Sequence, residues 1–146
     1  MAKKKSERMG TLKKLALWRE RDAATAVGDQ QGRLQLEQQQ LRDLQSYYQD
    51  YLSTIDQQKD LDPIALINYR NFCHQLSQTI NQGHRKIKSL ESKLEQLKNE
   101  WLLRRNKRQV LEELILRCEK EESQWLEGEL QKEIDDMWQA QNSRNA

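Results

Sequence analysis

One proline and five glycines in 146 residues leave this chain almost nothing with which to turn. A sheet needs a turn for every strand, so a β or α/β domain is not what this composition builds. Apolar residues make up 36% against 33% charged, with a mean hydropathy of −1.07. That is too little apolar material for a thick core, and it suits a two-helix seam with most faces wet. No apolar run approaches the ~18–20 residues that span a bilayer. The basic start from Met1 to Arg8 leads into no continuous apolar segment, so no secretory signal is expected and the cytoplasm is the expected compartment. A net charge of +2 implies neither a strongly basic nucleic-acid binder nor an acidic tail. No basic face is interleaved with stacking aromatics either.

The residues of catalysis are scarce too. His74 and His84 are the only histidines, and no cysteine or histidine lies at ligand spacing from either. A tetrahedral metal site needs clustered donors, so no metal is expected. There is no Gly-rich phosphate loop, no GxSxG and no HExxH. A narrow helical pair offers no concave pocket that excludes water, so neither an enzyme nor a cofactor is expected. Cys73 and Cys118 fall on one predicted helix about 65–70 Å apart and cannot bridge each other. They read as small apolar residues near a seam, as a reducing compartment allows.

What the chain does have is a corner. Asp62 precedes the only proline, and Asp-Pro starts a helix with a mechanism. The aspartate can accept from the first free amides, and Pro63 sits where its missing N–H is not needed. Ahead of the corner, Leu34, Leu41, Leu44, Tyr48, Tyr51 and Ile55 follow heptad spacing. Behind it, Cys73, Leu76, Ile80, Ile87, Leu90, Leu94, Leu97 and Trp101 do the same. Leu44 with Leu76, Leu41 with Ile80, Tyr48 with Cys73 and Leu34 with Ile87 are all pairs equidistant from one point close to position 60. Two seams that share a fold-back point predict an all-α fold: a long two-helix antiparallel coiled-coil hairpin with a C-terminal helical overhang.

Taken in order, the single domain reads as a flexible basic tail over 1–10, a first helix over 11–55 capped by Thr11, a turn over 56–62, a second helix over 63–138 and a flexible tail over 139–146. Lys3, Lys4, Lys5 and Arg8 are either a solvated end or a contact with anionic lipid head groups. Gly28 and Gly32 each cost about 1 kcal/mol inside a helix, so bending or fraying is expected near Gly28. The Gln35 to Gln40 run reads as a solvated face. Gly83 falls on the seam opposite Glu37, which should make the hairpin weakest there. Arg104, Arg105, Lys107 and Arg108 form a basic collar, either a solvated charge run or a surface for an acidic partner. By the fold-back point, residue 110 faces the start of the first helix, so everything after Val110 should lack a partner within the chain. Leu111, Leu114, Ile115, Cys118, Trp125, Leu126, Leu130, Ile134, Met137 and Trp138 still repeat at helical spacing, which predicts an interaction surface or a frayed end.

Tyr47 and Phe72 each stand one step off a seam and should lie side by side. Gln40, Leu44, Tyr47 and Tyr51 make one stripe; Phe72, Leu76, Thr79 and Gly83 make its antiparallel neighbour. This flank is either a docking face of the helix-groove type or a shield for the seam edge. The run Gln40-Leu-Arg-Asp-Leu-Gln-Ser-Tyr-Tyr-Gln-Asp-Tyr51, the segment Ile67-Asn-Tyr-Arg-Asn-Phe72 with Leu76, and the corner between them resemble FliJ, the small coiled-coil component of the flagellar type III protein export apparatus. The resemblance covers about Leu12 to Leu126.

It implies a stalk similar to the central stalk of rotary ATPases, sitting in the export ATPase hexamer, linking it to the cytoplasmic domain of the export gate and handling export chaperones, in the cytoplasm and peripherally at the inner face of the membrane. It also implies that the gate is met by Gln40, Leu44, Tyr47, Tyr51, Phe72, Leu76, Thr79 and Gly83, and that the ATPase is faced by the terminal half, including the collar Arg104, Arg105, Lys107 and Arg108 and the overhang. Where the family tends to carry a histidine at the far end of the stripe, this chain has Gly83 followed by His84. A virulence secretion stalk, a self-associating linker and a nucleic-acid binder are the other readings.

Overall fold

A computed structural model of the chain describes residues 5–57 and 62–145. They form two long helices packed against each other as a helical hairpin, α1 (Lys5–Gln57) and α2 (Pro63–Asn145), with no strand among the described residues. The start of α2 lies at the expected place: Asp62 lies outside the helix, Pro63 is the first helical residue, and the first bond is made by the Asp62 backbone carbonyl, which accepts from the Leu66 N–H at 2.9 Å. Of the expected turn, Asp56 and Gln57 are helical and 58–61 lie outside the described residues.

The chain divides into two compact units. In the central unit, Asp22–Trp101, Leu34, Leu41, Leu76, Ile80 and Leu94 are buried. Every other seam position, from Leu44 to Ile55 on α1 and from Cys73 to Trp101 on α2, is half-buried. Leu41, Leu76 and Ile80 form one cluster, with Leu44, Tyr48 and Ile87 packed against it. Burying these leucines and isoleucines stabilises by roughly 1.5–3 kcal/mol each, which makes this seam the main source of cohesion in the unit. Gly83 does not leave the seam hollow: a Cβ there would stand 2.9 Å from Leu41 Cδ1, so the leucine fills the space a side chain would take. Glu37 does not face Gly83 but pairs with Lys86 at 2.7 Å. The helix is unbroken through Gly28 and Gly32. The most buried described polar residue is Gln30, 3% exposed, whose Nε2 donates to the Leu90 carbonyl across the seam at 3.2 Å.

The terminal unit, formed by 1–21 with 102–146, departs furthest from expectation. Helix α1 begins at Lys5 and passes through Gly10 and Thr11 without a cap, and α2 continues to Asn145. The overhang does not begin at Val110: Ile115 and Cys118 are buried, and Cys118 Sγ lies 3.7 Å from Met9 Sδ. Two causes extend the pairing. Six more residues of α1 are helical than the Gly-Thr signal implied. Side chains on a helix also lean towards its own N-terminus, so in an antiparallel pair a contact joins a residue of α1 to one further along α2 than its Cα level. The same lean brings Glu20 to Arg108. Among the described residues, the length without a partner on α1 is 123–145, exposed throughout.

Candidate functional site

In the central unit, the one-step offset from the seam places Tyr47 of α1 and Phe72 of α2 on one flank, where their rings meet edge to face at 6.4 Å and 81°. Tyr51 joins them, 6.2 Å from Tyr47 and 4.7 Å from Phe72. Tyr69 completes the cluster at 5.1 Å from Tyr51. Edge-to-face and tilted pairs at these distances are mutually attractive, so the cluster holds its own shape. Tyr47 is nonetheless 52% exposed and Phe72 37%. Burial pushes the Tyr51 phenol above its ordinary pKa, and Tyr69, Cys73 and Tyr47 push it the same way. Tyr51 therefore keeps its proton to a higher pH than an ordinary tyrosine.

Of the eight flank residues, Tyr47, Tyr51 and Phe72 form one ring cluster, and Leu44 packs beside Leu76 in the seam below. Gln40 and Thr79 are exposed; the Thr79 hydroxyl donates to the Gln75 carbonyl at 3.0 Å. Gly83 lies against Leu41, and the adjacent His84 meets Gln45 of α1 at 3.1 Å. Sequence reasoning did not place Tyr69 in the cluster, although its position three before Phe72 puts both on one helix face. It also missed Gln30, for which nothing in the local pattern distinguishes a seam glutamine from a solvated one.

In the terminal unit the basic collar is not a uniform surface. Arg108 is turned inward: its guanidinium grips both carboxylate oxygens of Glu20, with Nη2 to Oε1 at 3.4 Å, and donates to Glu112 at 2.9 Å. The side chains of Arg108 and Glu20 are only 18% and 16% exposed. Hydrogen bonds to Glu20 and then Glu112 hold the guanidinium above its ordinary pKa against the opposing effect of burial. Arg104 is half-buried, and Arg105 and Lys107 are exposed. Beside the collar runs an open groove of about 460 Å³ with Leu12, Leu15, Leu103, Val110 and Leu114 on its walls and Arg19, Arg104 and Lys107 among its lining residues.

Among the described residues, no group of His, Cys, Asp and Glu could hold a metal ion, and no helix is long and apolar enough to cross a membrane. No curated protein and no solved structure gives a significant match to the chain. The family model described as flagellar FliJ protein matches residues 4–146. With a match over essentially its whole length, a two-helix fold and the aromatic segments on one flank, the chain belongs to the FliJ family and is a flagellar export-related protein.

Proposed function

We propose that this protein is an adaptor of flagellar export, a stalk that joins the export ATPase hexamer to the cytoplasmic domain of the export gate and assists export chaperones, working at the cytoplasmic face of the inner membrane as a peripheral component. It acts by binding rather than by catalysis. The observation that supports this best is the aromatic cluster of the central unit. Three rings contributed by both helices pack against one another, and two of them, Tyr47 and Phe72, remain exposed to solvent. A rigid aromatic anchor loses little side-chain freedom on docking, which is the property of a binding hot spot. Gln40 and Thr79 extend the exposed stripe of the gate-facing flank, and Leu44, Leu76 and Gly83 support it from the seam beneath.

The ATPase side is assigned to the terminal unit. Arg104, Arg105 and Lys107 are its candidate contacts, and Arg108 supports them from within through Glu20 and Glu112 rather than by reaching a partner. The match to a flagellar family favours this reading over a virulence secretion stalk.

Pull-down with the gate's cytoplasmic domain and, separately, with the flagellar ATPase tests the assignment. Tyr47→Ala with Phe72→Ala should abolish gate capture and leave ATPase capture and helicity intact. Equal gate capture by the double variant removes the flank from the account.

A further inference from the structure

We infer that the terminal unit associates head to tail with a second copy of the same chain, the overhang of one copy lying in the Leu12–Leu114 groove of the next. This goes beyond the adaptor reading and does not depend on it.

The overhang supplies an amphipathic helix that is exposed along its length. Leu126, Leu130, Ile134 and Met137 recur on one side at three- and four-residue steps, each between 45% and 71% exposed. Glu129, Glu133 and Asp136 follow the same steps along one edge of that stripe. Over 123–145 the helix carries five acidic residues against two basic ones. The groove supplies the complement. Leu12 and Val110 on its walls are 52% and 56% exposed, and its lining holds three cations, Arg19, Arg104 and Lys107, and no acidic residue.

The lengths agree as well. Leu103 to Leu114 and Leu126 to Met137 are both eleven-residue steps, roughly 16 Å of helix. An apolar stripe with an acidic edge fits an apolar groove with a basic rim, and this is the helix-in-groove mode of recognition.

Charge decides among the ways two copies could meet. Overhang against overhang brings two acidic edges together, and groove against groove brings two sets of cations together. Only overhang in groove pairs opposite signs. Such a contact joins two different patches, so it is heterologous and propagates rather than closes.

Sedimentation velocity of the full chain, with Val110→Glu in the groove and Leu130→Glu on the overhang, tests this. The wild type should grow in size with concentration, and less so at high salt. Each variant alone should remain monomeric with unchanged helicity. An equimolar mixture of the two should form a one-to-one pair and nothing larger, because one intact groove meets one intact overhang and the other contact is dead. Lys107→Glu, a rim change that leaves the apolar walls untouched, should weaken wild-type growth severalfold. A wild type that stays monomeric across the range overturns the inference. So does growth blocked by Leu130→Glu but not by Val110→Glu, or a mixture that remains monomeric.

Discussion

The two units solve the same packing problem in different ways. In the central unit, leucine and isoleucine from both helices interdigitate, and the leading polar contact across the seam is a single buried glutamine. In the terminal unit, buried apolar pairing thins to Ile115 and Cys118 beside Met9, and Arg108, braced by Glu112 on its own helix, ties α2 to Glu20 of α1. Apolar burial is non-directional and grows with area, so it suits a permanent seam. An ion network contributes less net stability because desolvation offsets much of the attraction, but it fixes register. The unit that spends less apolar surface on itself leaves more outside. Its groove and overhang are exposed, whereas the central unit exposes Tyr47 and Phe72 of the aromatic flank together with Leu36, Ile64 and Ile67.

That contrast sets the order of expected effects. Leu41→Ala removes the centre of the seam cluster and should destabilise by about 2–5 kcal/mol in thermal or urea unfolding followed by helicity. The half-buried Leu111 of the terminal unit should lose clearly less on the same change, and equal losses would erase the distinction between the units. Arg108→Ala strands a poorly exposed Glu20 and should lower stability by less than Leu41→Ala does. Arg108→Lys keeps the charge without the fork and should recover only part of it. The raised guanidinium pKa contributes stability at all pH values below the ordinary arginine range and loses it only above. Unfolding across neutral pH should therefore show no step from this group.

Smaller changes sharpen the picture of the seam. Gly28→Ala meets nothing within 4 Å and should gain about 1 kcal/mol from helix propensity alone. Gly83→Ala should show no such gain, because its new methyl displaces the buried Leu41, and overpacking of this kind costs about 1–3 kcal/mol. A gain at both sites would mean that Leu41 moves aside freely. The smallest effect belongs to Tyr51. Its raised phenol pKa means that folding favours the neutral ring, so the contribution is complete below the ordinary tyrosine range and is lost as pH rises through the folded value. In an ultraviolet titration of the four tyrosines, one should ionise late, and Tyr51→Phe should remove that late phase.

Much of the fold was legible in the sequence because an antiparallel seam is a two-fold constraint. Leu41 and Ile80, or Leu44 and Leu76, must satisfy helical spacing and a shared fold-back point together. The Asp62-Pro63 start was legible because its mechanism is local. The terminal unit resisted for physical reasons. Gly10 and Thr11 carry a start signal that is weak beside the packing of Met9 on Cys118. Fold-back counting follows Cα levels, whereas contacts are made by tips that lean towards each helix's N-terminus. Arg108 looks like its neighbours in a charge run, and only its position opposite Glu20 separates it from them. On the candidate site, the adjacency of Tyr47 and Phe72 could be read from spacing. The spacing of Tyr69 from Phe72 put both on one helix face, but its contact with Tyr51 across the hairpin became visible only in the structure.

The antiparallel register of the central unit underlies both the seam and the flank, and it can be measured directly. Gln45, half-buried, and His84, exposed, touch across the two helices at the edge of the seam. Spin labels on Gln45→Cys and His84→Cys, in a background of Cys73→Ser and Cys118→Ser, should show strong dipolar broadening in the monomeric protein. Sharp, unbroadened lines from a fully helical sample would contradict the pairing, and the aromatic flank would lose its basis with it.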